Sequence, residues 1–207
     1  MLKKSKLLER RQNLRETLVG LAEKTIAKTG VHSLRARPLA DSAACAVGMI
    51  YQVFADLDAL ILAVNERTLD TLDTVLEKAG EKPGPRPEDA IACLTRLALT
   101  YLDFAAESGP RWRALFDHRM ENDRPAPDWY AEKRRQMFRH VEAPLKTLLP
   151  ELTSTKRGHL ARTLFSAVHG VVVLGLEEKL GSIPLPQLRQ QLTTIVQAMA
   201  RGLTAAA

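Results

Sequence analysis

The chain has 207 residues, 45% hydrophobic and 26% charged, the balance of a folded globular protein long enough for one large core or two modest ones. Lys and Arg number 30 against 24 Asp and Glu, and the net charge of +6 makes a polyanion a candidate partner. Two cysteines, Cys45 and Cys93, are too few for a disulfide framework and suit a reducing cytoplasm. The longest apolar run, residues 164–176, contains His169 and falls short of the ~20 residues of a membrane span. The basic opening MLKKSKLLERRQN leads into neither an apolar stretch nor a small-residue cleavage site, so membrane and secreted classes are not expected.

Apolar residues recur at helical spacing along almost the whole chain, which predicts an all-α fold of about nine helices. In the first helix Leu14, Leu18, Leu21, Ala22, Thr25 and Ile26 share one face, and Gly30 ends it, because glycine adopts positive φ without a Cβ penalty. A short helix over 37–43 tolerates Pro38 only in its first turn. A second short helix is expected over 47–53. A long one over 57–78 carries Leu60, Ile61, Val64, Leu69, Leu72 and Val75. The stretch GEKPGPRP, residues 80–87, breaks continuity. Beyond it helices are expected over 88–107, 111–121, 128–149, 155–180 and 185–203. Gly109-Pro110, Pro125/Pro127, Pro150 and Gly181 punctuate them, and Pro144 is expected to kink the 128–149 helix.

Five of the six net positive charges lie within residues 1–15, where Lys3, Lys4, Lys6, Arg10, Arg11 and Arg15 face Glu9 alone. On charge alone this is either a solvated terminus or a DNA-contacting arm. The adjoining segment has helix-turn-helix proportions: two short helices joined by Ala44-Cys45-Ala46 and preceded by a supporting helix. Residues 34–64, LRARPLADSAACAVGMIYQVFADLDALILAV, resemble the signature of TetR-like one-component transcriptional regulators. Leu34, Leu39-Ala40, Ala43, Gly48, Tyr51, Phe54 and Leu60-Ile61 stand at the matching places. The resemblance spans about residues 8–66 and implies a DNA-binding domain over 1–56. A C-terminal effector-binding and dimerisation domain would then cover 57–207, entered through a connecting helix over about 57–78.

The resemblance gives the second short helix the recognition role. Gly48 lets its backbone approach DNA, Tyr51 reaches a phosphate through its hydroxyl while its ring stays packed, and Phe54 enters the core. Base-edge contacts are expected from the exposed face of 46–52. Gln52 can read adenine bidentately, and Val47 and Met49 can offer apolar contact to a thymine methyl, with Ala46 at the helix start. Arg35 and Arg37 are expected to clamp phosphates. The chain departs from the family pattern at several points. Ala44 replaces the turn glycine, and Ala46 replaces the serine cap, a cap worth ~1 kcal/mol. Val53 stands where histidine is common. Leu57, between Asp56 and Asp58, replaces a lysine that meets a phosphate.

In the C-terminal half, LFSAVHGVVVLGL (164–176) is similar to the His-Gly helix of the WHG subtype of the family's C-terminal domain, with Val168 in place of Trp. RWRALFD (111–117) lies at a matching distance upstream. Ala167, Gly170 and Gly175 form a small-residue seam. With Leu188, Leu192, Ile195, Val196 and Met199 of the final helix, it suits either a four-helix dimer interface or packing within one chain. Two-fold DNA half-sites call for a homodimer. A small apolar effector is expected between the middle helices, lined by Tyr101, Phe104, Trp112, Phe116, Met120, Trp129, Met137, Phe138, Phe165 and His169. Core packing competes for each of these residues. His118 and His140 read as surface or rim residues.

No HExxH, paired CxxC, P-loop or dinucleotide fingerprint occurs, so neither an enzyme nor a cofactor is expected. The reading that results is a cytoplasmic, dimeric, ligand-responsive regulator of a double-stranded DNA operator, a repressor released by a small apolar molecule. The competing reading is a ligand-binding dimeric sensor that has lost DNA binding.

Overall fold

A computed structural model describes residues 2–81, 84–177, 181 and 183–205, with side chains from residue 6 onward. The side chains of Lys3 and Lys4, and residues 178–180 at the end of the expected 155–180 helix, lie outside the described residues. Among the described residues there is no strand, and the helix count is close to the one expected. The helices are α1 (Leu2–Thr29), α2 (Ala36–Ser42), α3 (Val47–Val53), α4 (Leu57–Ala79), α5 (Pro87–Asp117), α6 (Asp128–Gln136), α7 (Arg139–Leu148), α8 (Ser154–Gly175) and α9 (Leu185–Ala205), with 3-10 turns at Val31–Ser33 and Glu121–Asp123. Among the described residues no single helix is long and apolar enough to cross a membrane.

The chain forms two compact units, Met1–Asp70 with Ser108–Ala131, and Thr71–Glu107 with Glu132–Ala207. Helices α4 and α5 each run from one unit into the other. In the first unit, Leu18, Val19, Ala22 and Ile26 of α1 meet Leu39 and Ala40 of α2, Ile50 of α3, and Leu60, Ile61 and Val64 of α4 in one buried cluster. Phe54, the residue that caps α3, is buried there too, as expected. Burial of these large apolar side chains is the term that holds the four helices together, since none as short as α2 or α3 is stable alone. Ion pairs tie the outer face of α1 to its neighbours: Glu16 to Arg67, and Glu23 to both Arg67 and Arg111 (2.7 Å).

In the second unit α8 and α9 pack closely. Leu188, Leu192, Val196 and Ala200 of α9 are buried within the chain. The apolar stripe of α9 is therefore largely used inside one protomer. Ile195 and, on α8, Leu174 are exposed, at 36% and 60%. Gly175 is required at this contact, because a Cβ there would sit 2.5 Å from Leu188 Cδ1. At Gly170 a Cβ would meet nothing within 4 Å.

Four boundaries differ from those expected, one of them the end of α8, at Gly175 rather than 180. Gly109 and Pro110 kink α5, with Gly109 at φ 27, ψ −100, and helix resumes on both sides because Pro110 occupies the first turn of the second segment. That segment ends at Asp117 rather than 121. The 128–149 helix is broken at 137–138 and not at Pro144, which is buried inside α7. At the break the amides of Phe138 and His140 bond three residues back, to Arg135 and Met137, in place of the four-residue helical ladder.

Candidate nucleic-acid interface

Helix α2 ends in a Schellman turn: the Cys45 amide donates to Ala40 C=O (3.0 Å) and the Ala44 amide to Asp41 C=O (3.1 Å). Ala44 holds the left-handed position at φ 49, where glycine is the usual residue. Ala46 then starts α3 with the extended backbone of an N-cap and no side-chain hydrogen bond. Both departures from the family pattern fall at the turn they were expected to affect.

The two sides of α3 are sharply divided. Ile50 is fully buried, while Ala46, Gly48, Met49, Tyr51 and Gln52 are exposed and Val47 is half-buried. Tyr51 is 50% exposed, so its ring stands further into solvent than the packed ring the resemblance implies. Gly48 has open space at its Cβ position. Of the two expected phosphate clamps, Arg37 is exposed. Arg35 is turned to the backbone: its Nη1 donates to the carbonyls of His32 (2.7 Å) and Leu34 (2.8 Å), which fixes the entry into α2.

The basic arm is the first part of α1, a continuous helix from Leu2. Lys6, Arg10 and Arg11 are exposed, and Arg15 lies over the Phe54 ring at 5.3 Å from its centroid, a cation–π contact at the end of α3. Leu7 and Leu8, also exposed, accompany these cations.

Sequence reasoning missed a polar cluster at the start of α4. Asp56 caps that helix, accepting from the Ala59 amide at 2.7 Å. Arg124 pairs with Asp56 and with Asp58 (2.9 Å), and the Glu121 amide donates to Asp58 at 2.8 Å. Burial pushes the Asp56 carboxyl up, but the Ala59 amide and the Arg124 guanidinium outweigh it and hold the acid below its usual range. His118, expected at the surface, is only 9% exposed, with Nε2 at 3.4 Å from Asp58 Oδ1. Its burial lowers its pKa, against the partial pull of Asp58. These partners lie about sixty or more positions apart in the chain, so no local motif announces them.

The expected effector residues divide between the units. Trp112, Phe116, Met120 and Trp129 belong to the first, where Trp112 is buried while Phe116 and Trp129 are exposed. Tyr101, Phe104, Met137, Phe138, Phe165 and His169 belong to the second. There Tyr101 Oη is 2.7 Å from His169 Nδ1. Phe165 stacks on the His169 ring at 5.4 Å and meets Tyr101 and Phe138 edge-on. Burial lowers the His169 pKa. His140, also expected at the surface, is 8% exposed and bonds Asp73 at 2.7 Å, which Arg139 also pairs.

Residues 94–200 match the family described as Tetracyclin repressor-like, C-terminal domain. No curated protein matches the chain. The fold is shared with solved structures of low identity. A protein of unknown function from Rhodococcus sp. RHA1 is 22% identical, with TM-score 0.70 over 89% of this chain and 94% of that one. A TetR-family transcriptional regulator from Streptomyces coelicolor is 20% identical, with TM-score 0.67 over 94% and 83%. A transcriptional regulator of the TerR/AcrR family from Aquifex aeolicus VF5 is 19% identical, with TM-score 0.59 over 90% and 99%. With more than half of its length inside the matched C-terminal domain and a helix-turn-helix ahead of it, the chain belongs to the TetR-like family of transcriptional regulators.

Proposed function

We propose that the protein is a cytoplasmic homodimer that grips an operator with α3 and is released from it when a small apolar molecule binds the second unit. The observation that carries the DNA reading is the division of α3. Ile50 is locked into the core, while Met49, Tyr51 and Gln52 project from a short helix whose end is met by Arg15 of α1. That is the composition of a recognition helix with phosphate-contacting support. Gln52 reads a base edge, Tyr51 donates to a phosphate, and Arg37 adds a phosphate contact. The effector meets the aromatic cluster of Tyr101, Phe138, Phe165 and His169, where an apolar wall carries one polar anchor. Because α4 is continuous from one unit into the other, a ligand that shifts its later turns shifts α3. A coupling of about 1–3 kcal/mol changes operator affinity 5- to 150-fold.

Selection of duplexes from a randomised pool, followed by titration against salt, tests the reading. Affinity should fall with a slope near −0.9 per neutralised phosphate. Gln52→Ala should cost about 1–3 kcal/mol on the selected duplex and little on random DNA. Tyr51→Phe should weaken both. Equal affinity for both variants and wild type overturns the assignment of α3. The sensor reading without DNA binding draws on Asp56 and Asp58 at the opening of α4, and failure to enrich any duplex favours it.

A further inference from the structure

Asp56 and Asp58 come two and four residues after the α3 cap, Phe54, so the recognition helix is succeeded at once by two carboxylates. A seven-residue helix is about 10 Å long, which leaves both acids within roughly one Debye length of a phosphate backbone laid along α3. The structure answers this with a residue from a distant segment. Arg124 is 44% exposed and pairs with both carboxylates, and the Glu121 amide on the same segment bonds Asp58. The buried His118 beside Asp58 has its pKa lowered, so it does not supply a standing positive charge there.

We propose that Arg124 is a positioning residue for DNA binding, which offsets half of the negative charge of Asp56 and Asp58 beside the recognition helix so that the phosphate backbone can pass the start of α4. The inference rests on the reading of α3 as the recognition helix. Arg124 acts through the two acids, not by touching DNA. Both carboxylates accept from the same Arg124 Nη2, whose two hydrogens suffice for one acid each. The arrangement also accounts for a chain with Asp-Leu-Asp where a DNA-facing helix start favours a cation.

The test is a double-mutant comparison on the full chain, using a duplex selected by the wild-type protein and a random-sequence duplex, both at low salt. Arg124→Ala should weaken both duplexes about two- to fourfold, the worth of one to two unit-charge interactions across about 10 Å at water-like screening. The loss should shrink as salt is raised. In an Asp56→Asn/Asp58→Asn background, where Asn still caps α4, the same substitution removes one positive charge after two negative ones, so the triple variant should bind at least as tightly as wild type. The double Asn variant alone should bind at least as tightly as wild type, and this arm stands even if Arg124→Ala does not fold. Undiminished affinity of a folded Arg124→Ala overturns the proposal. So does a triple variant that binds more weakly than wild type, or weakened binding by the Asn variant. A wild-type protein that selects no duplex defeats the recognition-helix reading instead.

Discussion

Replacing Ala44 with glycine isolates the backbone cost at the turn that sets the angle of α3. Ala44 sits at φ 49 in the position that closes the Schellman turn, and its side chain is exposed, so the substitution removes no packing. The left-handed conformation costs an L-residue about 1–2 kcal/mol. Glycine gives back about 0.4–1 kcal/mol through its larger unfolded-state entropy. The net gain is about 0.5–1 kcal/mol, or roughly 2 °C in Tm for a chain of this size. Urea unfolding monitored by the fluorescence of Trp112, buried in the same unit, reads it directly. Gly30→Ala is the matched control. Gly30 lies at φ 82, ψ 166, a region open essentially only to glycine, and a Cβ there meets nothing within 4 Å. Its cost of about 1–3 kcal/mol is therefore backbone strain alone. An Ala44→Gly midpoint that stays put or falls, beside a Gly30→Ala midpoint that falls as expected, refutes the reasoning.

Ala46→Ser should add the missing cap of α3 and raise stability by about 0.5–1 kcal/mol in the same unfolding assay. Gly175→Ala should destabilise the second unit by about 1–3 kcal/mol through overpacking on the buried Leu188, read from the loss of helical signal on heating. Gly170→Ala adds a Cβ that meets nothing within one chain, so it should leave the protomer folded while weakening a dimer that uses the α8 seam, measured by sedimentation. His118 and His169 both have folded pKa values below the ordinary value of about 6.5. The unfolded chain then binds more protons in the window below that value, so stability is complete above about pH 6.5 and declines as pH falls. The slope approaches at most about 1.4 kcal/mol per pH unit per histidine. Denaturation midpoints between about pH 7.5 and 5 should show it, and each of His118→Gln and His169→Gln should flatten the decline.

What the sequence disclosed is what local periodicity and backbone chemistry determine. The apolar face from Leu14 to Ile26, the glycine at 30, and the Gly48–Tyr51–Phe54 spacing placed the end of α1 and both ends of α2 and α3 within a residue or two, because each signal concerns neighbours along the chain, whereas the helical course of the basic arm carried no such signal. Ala44 could be flagged as the residue bearing the left-handed strain for the same reason. The break at 137–138 escaped because neither Met nor Phe marks a stop, and Pro144 offered a stronger local cue that the buried surroundings of α7 override. His118 and His140 were read as surface residues since their polar partners, Asp58 and Asp73, are about sixty positions away. The apolar stripe of α9 posed a different ambiguity. A helical stripe satisfied by its own chain and one satisfied by a second copy have the same period, and only the fold shows that Leu188, Leu192 and Val196 are already covered.

The charge of the N-terminal segment is likewise redistributed by its secondary structure. At 100° per residue, Lys6 and Arg10 form one stripe on α1, and Arg11 and Arg15 form another about a third of a turn away. Arg15 lies over Phe54 and is half-buried, so the second stripe is anchored at the end of α3 while the first points elsewhere. A loose basic tail could bring every cation to one phosphate backbone, whereas a continuous helix cannot bend both stripes toward it. On the proposed DNA-binding reading, fewer phosphates are then neutralised than the +5 of residues 1–15 implies, which makes local compensation of Asp56 and Asp58 matter more to affinity than the summed charge does.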